Sequence, residues 1–285
     1  MPSFPIVDSH LHIWDSWQID IPWLARDALL NRPMNLVDYD EARGSTTVDA
    51  MVFVECDVAP KAALAEVAWV AEQAQADPRI RAIVAHAPLE LGTGVLPHLE
   101  ALSSFDLVRG ARRLIQSEPD TEFCIRPDFV EGVRLLSRFG WSFDACIVHT
   151  QLKSLTKLVD LCPDVSFVLD HIGKPAIRDG QLSVWRDEMH ELARRDNVVC
   201  KLSGVATEAD HETWTYQDLE PFMNTALEAF GPRRLMFGGD WPVALHATSY
   251  ENWIATVDRL LVAVSEDDRH QIYTRTARSF YRLGR

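Results

Sequence analysis

No apolar run in the 285-residue chain approaches the roughly 18 residues of a membrane-spanning helix, so no membrane association is expected. Cationic side chains are in deficit, with 28 Lys and Arg against 42 Asp and Glu and a formal charge of −14. With no Lys/Arg stripe to offset it, that charge repels phosphate backbones and anionic lipid, so nucleic acid is not an expected partner. The five cysteines form no C-x-x-C pair. Cys56, Cys146 and Cys200 lie in apolar, strand-like runs where a free thiol behaves as a small hydrophobe. The opening MPSFPIVDSH lacks the basic and apolar regions of a signal peptide, and a reduced, cytoplasmic protein is expected. Gly92-Thr93-Gly94 lacks the spacing of a nucleotide-binding loop, and no G-x-S-x-G elbow is present, which disfavours a serine-hydrolase mechanism.

What is present is a repeated alternation. Eight short apolar or β-branched runs begin near Ile6, Asp49, Ile80, Leu107, Phe143, Val165, Asn197 and Leu235. Their centres lie about 25 to 45 residues apart, the length of a strand plus a returning helix. Between them, apolar stripes at helical spacing are bounded by helix punctuation. Pro60 opens one run and Pro78 follows it; Pro127 opens another that Gly140 closes; Ser265 and Asp268 form a capping-box start for the last. Eight such units with strongly apolar strands predict an α/β fold, a (β/α)8 TIM barrel spanning 1–285 as a single domain. Segment 14–46, a long loop after strand 1, is abnormal, because most connections run about 4–6 residues. It carries Trp14, Trp17, Trp23 and Tyr39, and either covers a substrate or packs the barrel rim.

Barrel chemistry sits where strands end. The first run ends in Asp8-Ser9-His10-Leu11-His12, and residues two apart on a strand face one side, so His10 and His12 can enter the mouth together. Alone, H-x-H also describes two satisfied core histidines. Here it is joined by His149 after the fifth run, Asp170-His171 after the sixth and Asp240 after the eighth. Buried charge is costly unless paired, so packing is a poor explanation for the set.

D-x-H-x-H, a sixth-strand histidine and an eighth-strand aspartate resemble the amidohydrolase superfamily. VDSHLHIWD, VRGARRLIQSEPD, VLDHIGKP, CKLSG, FGGDWPV and TARSFYRL, spread along the whole chain, resemble its sugar-lactonase branch, which includes L-fuconolactonase-like, L-rhamnonolactonase-like and pyrone-dicarboxylate lactonase-like enzymes. The resemblance implies hydrolysis of a sugar lactone to the sugar acid. Asp240 would take a proton from the attacking water, while His10, His12 and His171 line the reacting centre. Relatives with two metals carry a bridging Lys or Glu on strand four, where this chain has Arg112-Arg113. The implied cofactor is therefore either none or one divalent ion, zinc, on His10, His12 and Asp240.

Arg112 is the candidate cation for the carbonyl, with a surface ion pair as its alternative role. His149, Lys201, Trp241 and Trp14 are further substrate-contact candidates; strand register decides whether Lys201 faces inward, and Trp241 either stacks on a sugar or packs the core. His211, Trp214 and His246 follow late strands and could read hydroxyls. The competing functions are a metal-dependent decarboxylase of the same superfamily, distinguished by release of CO₂, and a silent binding barrel, distinguished by binding without turnover. Oligomeric state is not legible.

Overall fold

The computed structural model describes residues 2–284. Strands β1 (Ile6–Leu11), β2 (Val48–Val54), β3 (Ile80–His86), β4 (Val108–Arg112), β5 (Ser142–Ala145), β6 (Phe167–Leu169), β7 (Val198–Leu202) and β8 (Leu235–Phe237) form one sheet in sequence order. Every neighbouring pair is parallel. The ring closes through backbone: Asp240 N–H donates to His10 O and His12 N–H to Trp241 O, each at 2.8 Å. The arrangement is the expected (β/α)8 barrel.

Helices return the chain between strands, chiefly α2 (Ala63–Ala76), α3 (Leu96–Leu102), α4 (Pro127–Leu135), α5 (Leu152–Leu161), α6 (Ser183–Ala193), α7 (Tyr216–Phe230) and α8 (Tyr250–Leu260). Parallel pairing requires such crossovers, and it buries both faces of each strand, which is why the strands are continuously apolar. The punctuation works as the residues imply. Gly140, at φ 65°, ends the α4 run, and the Ser265 hydroxyl accepts from Asp268 N–H. The long segment is not structureless: it holds a 3-10 turn (Pro22–Arg26) and the helix α1 (Leu36–Ala42), whose Asn35 forms a capping box with Asp38. No helix among the described residues is long and apolar enough to cross a membrane.

Two apolar layers result. Val7, Ala50, Val52, Val54, Val84, Val168, Val199 and Met236 fill the barrel interior with Tyr281 and Leu283 from the C-terminal end. The opposite strand faces join the helices in the outer layer. Alternation carries the inner face upward, from Val168 to Asp170 and from Val199 to Lys201. On β1 the register shifts between Asp8 and Leu11, which lets Val7 and His10, three residues apart, both turn inward.

Helix α4 lies on the segment Leu89–Val95, and Gly132 makes that approach. A Cβ there would lie 2.1 Å from the Leu89 carbonyl oxygen. Gly132→Ala is therefore expected to destabilise the fold by about 1–3 kcal/mol despite alanine's better helix propensity. Thermal melting would show it as a Tm lowered by about 2–4 °C per kcal/mol.

Candidate active site

A cavity of about 330 Å³ opens at the C-terminal ends of the strands. His12, Arg112, His171 and Asp240 bring their polar atoms to it, Trp14, Trp23, Leu114 and Val243 supply apolar surface, and Asp57, Gln116, Lys174 and Thr207 add further polar groups. Its volume is at the lower end of the range for small-molecule sites.

The expected set does assemble. His10 Nε2 lies 3.7 Å and His12 Nε2 3.5 Å from Asp240 Oδ1, and His171 Nδ1 is 3.9 Å from Asp240 Oδ2. Only glycine at 204 permits the last approach, since a Cβ there would sit 2.5 Å from His171 Nδ1 and 2.7 Å from Asp240 Oδ2. Asp240, His171, Ile172 and Lys174 all adopt positive φ near 50°. Such backbone costs on the order of 1–3 kcal/mol per residue and persists where surrounding structure holds it.

Asp8 fixes the frame. It accepts from the N–H groups of Gly239 (2.7 Å) and His10 (3.1 Å), and from the hydroxyls of Tyr39 (3.0 Å) and Tyr250 (2.9 Å). One carboxylate thus joins β1, the long loop, the backbone just before Asp240 and α8.

Tautomers follow from the partners. His12 Nδ1 lies 2.8 Å from Val54 O, an acceptor only, so this nitrogen carries the proton and Nε2 a lone pair. His10 Nε2 accepts from Arg112 Nη1 at 3.5 Å, and its Nδ1 faces Asp170 Oδ1 at 3.4 Å. Two lone pairs therefore meet across 3.1 Å between His10 Nε2 and His12 Nε2. Burial holds the His10 pKa well below its ordinary value, against the pull of Asp170, so a proton does not relieve this contact at neutral pH. Burial opposes ionisation of Asp240, yet positive charge on His171, His12 and His10, once acid protonates them, holds its carboxyl well below the usual range. His171 is brought down to about 4 by burial, against Asp240 and Asp170.

This donor set fits a divalent ion. Ligands about 2.0–2.2 Å from tetrahedral zinc are separated by roughly 3.3–3.6 Å, and the three observed separations are 3.1, 3.5 and 3.7 Å. Two imidazoles with their remote nitrogens hydrogen-bonded or facing a carboxylate, plus one carboxylate, leave a fourth position open. His10, Asp170 and His171 form a second compatible triad, and it shares His10 with the first.

Several sequence-derived candidates lie elsewhere. Lys201 faces inward but is fully buried beneath the cavity, 2.8 Å from Asp144 Oδ2 and 3.0 Å from Asp170 Oδ1, and does not line it. Trp241 packs its ring on Tyr39, 1% exposed and outside the cavity lining. The fifth strand stops at Ala145, so His149 opens a short turn beyond it, and its N–H donates to Lys174 O. It too is absent from the lining. His211 and Trp214 line a separate groove, and His246 pairs with Asp27 at 2.8 Å. Trp14 does line the cavity. Its N–H is spent on Arg32 O, as that of Trp23 is on Cys56 O, so both present ring carbons.

Arg112 reaches the cavity, but four hydrogen bonds from its guanidinium go to Glu55 Oε1 and backbone O, Asp170 Oδ2 and His10 Nε2. Glu55 was not among the sequence-derived candidates, although it sits at a strand end where that rule looks for polar residues; Asp170 stands beside His171 at the sixth strand end, as the sequence places it. Behind Glu55, the buried Glu66 accepts from Cys56 N–H at 2.8 Å. Burial, then the charge of Glu55, pushes Glu66 up to about 8.

The amidohydrolase family profile matches residues 7–283, and the chain belongs to that family. It is 33% identical to an L-fucono-1,5-lactonase of Burkholderia multivorans, over 97% of this chain and 96% of that protein. It is 25% identical to an L-rhamnono-gamma-lactonase of Scheffersomyces stipitis, over 99% of this chain and all of that one. A crystal structure of a B. multivorans amidohydrolase with bound zinc superimposes with a TM-score of 0.89 at 32% identity, covering 99% of this chain and 100% of the other.

Equilibrium dialysis against zinc is expected to load one ion per chain, measured by elemental analysis, and His12→Ala to lose it. Undiminished loading in that variant would place the ion elsewhere. Glu66 gives a pH prediction. Its folded pKa of about 8 exceeds the ordinary 4.5, so the folded state holds the extra proton and stability falls as pH rises between those values. Glu66→Gln keeps the acceptor for Cys56 N–H and should flatten that decline in denaturant titrations from pH 5 to 9.

Proposed function

We propose that the protein hydrolyses an aldonolactone of the L-fucono-1,5-lactone kind to its sugar acid, with Asp240 directing the attacking water. The observation that carries this is the Asp240 carboxylate, 3.5 to 3.9 Å from three histidines, at the mouth of a cavity with tryptophan ring faces. The lactonase relatives that span nearly the whole chain supply the reaction class.

Water attacks the carbonyl carbon and passes its proton to Asp240, a base worth roughly 10²- to 10⁴-fold in rate. His171, neutral at pH 7, hydrogen-bonds near that centre while Ser203 Oγ, 2.9 Å from Nδ1, holds its ring. A divalent ion bound by His10, His12 and Asp240 would polarise the carbonyl oxygen. Trp14 and Trp23 match the carbon face of a sugar ring, and the polar groups of Asp57 and Gln116 match its hydroxyls.

The test is acid release in a pH-stat from a panel of fucono-, rhamnono-, galactono- and arabinono-lactones. Asp240→Asn is expected to lower kcat/KM by about 10²-fold or more, with the melting curve nearly unchanged. Full activity in that variant overturns the assignment of the base. CO₂ release from an aromatic acid, with no lactone opened, overturns the reaction class.

A further inference from the structure

Opening a lactone also needs a donor for the ring oxygen as its bond to the carbonyl carbon breaks. Asp240 begins the reaction as the acceptor of the water proton, so a group that carries its own proton from the start is available to meet the ring oxygen independently of it. We propose that Lys174 is this donor, its ammonium hydrogen-bonding the departing ring oxygen; the proposal rests on the lactonase reading above.

Two cationic side chains, Arg112 and Lys174, line the cavity beside the histidines. A guanidinium has five N–H groups, and four hydrogen bonds from Arg112 already go to Glu55, Asp170 and His10. Lys174 is in a different position. Among the described residues its Nζ has a single ion-pair partner, Glu208 Oε1 at 3.5 Å, and its side chain is 20% exposed. An ammonium has three N–H groups, so donors remain for a ligand. Of the neutral groups nearby, His171 has its Nδ1 engaged with Ser203 Oγ at 2.9 Å, and Thr207 spends its hydroxyl on Gly204 O. A charged donor is roughly twice as strong as a neutral one.

The backbone aims this lysine. Lys174 ends the turn Asp170–Gly173 with φ 47° and ψ 67°, a conformation unusual for any residue and more so before a proline. Its N–H donates to His171 O at 3.0 Å, and its O accepts from His149 N–H at 3.2 Å. The segment that positions His171 therefore positions Lys174 too. Glu208, in the turn after β7, holds the ammonium at 3.5 Å without saturating its three N–H groups.

In the reaction, the water oxygen bonds to the carbonyl carbon, the π pair of the carbonyl moves onto its oxygen, and one water proton goes to Asp240. As that pair re-forms the carbonyl, the bond from the carbon to the ring oxygen breaks and its electron pair stays on the ring oxygen. That oxygen takes a proton from Lys174. Solvent returns the Asp240 proton to the lysine, so the net change is one water added to one lactone.

The experiment compares the full-length wild type with Lys174→Met, Lys174→Gln and Lys174→Arg on the best aldonolactone of the panel. Lys174→Met is expected to lower kcat by 10²-fold or more with KM within threefold, and Lys174→Arg to recover at least tenfold of that loss. Lys174→Gln keeps a neutral donor and guards against a misfolded methionine variant; it should fall between them, with unchanged melting. A lysine that only binds a ring hydroxyl would instead raise KM and spare kcat, which overturns the proposal. So would wild-type kcat in either uncharged variant. A wild type that opens no aldonolactone overturns the lactonase reading and this proposal with it, whereas an active wild type with unaffected variants overturns this proposal alone.

Discussion

Asp170 is a fully buried carboxylate on which the remaining polar groups depend. Lys201 lies 3.0 Å from one of its oxygens, Arg112 3.3 Å from the other, and His10 Nδ1 3.4 Å away. Burial resists its ionisation, yet Lys201 and His10 hold its pKa well below the ordinary range. Breaking a buried ionic cluster by removing one member costs several kcal/mol, because the partners keep their charge without compensation. The geometry passes upward from there. Arg112 is oriented between Asp170 and Glu55, the proton of His10 faces Asp170, and its lone pair meets Arg112 Nη1 beside His12. A buried lysine far from any ligand thus bears on the state of the histidine that meets Asp240.

The same cluster separates roles that residue type alone would merge. Arg112, Lys174 and Lys201 are three cations at strand ends or just beyond them. Lys201 neutralises Asp144 and Asp170 under the floor, Arg112 braces Glu55 and Asp170 within it, and Lys174 retains unspent donors in the opening. The difference is how many carboxylates fold back on each one. A binding site in a chain of net charge −14 is in this way able to present a cation, because most of its acidic groups near the cavity are already paired.

Much of the barrel was readable in the chain. Eight apolar runs, Pro and Gly punctuation and the Ser265 N-cap correspond to observed elements, although Ser265 caps through its hydroxyl alone, without the reciprocal half of a capping box. The candidates that assembled, His10, His12, His171 and Asp240, are those placed by the simple rule that barrel chemistry gathers at strand ends. That rule blurs as strands shorten. β5 has four residues and β8 three, so His149 and Asp240 both lie beyond their strands, where alternation no longer sets direction. Asp240 is brought back by hydrogen bonds to β1 and by Asp8; His149 follows a different turn. Trp241 shows the same limit, adjacent to Asp240 yet turned into the packing around Tyr39.

The sequence by itself determined the alternation of elements, the barrel class and the residue types that can hold a proton or a divalent ion, because these depend on local periodicity and on side-chain chemistry. Only the tertiary structure decided which cations are free, which tautomer each histidine adopts, and that Glu55 and Lys174 belong beside the expected residues. Those properties depend on pairings between strands far apart in the chain, such as Arg112 with Glu55 and Lys201 with Asp144. Closure of the ring creates such pairs, and no local pattern records them.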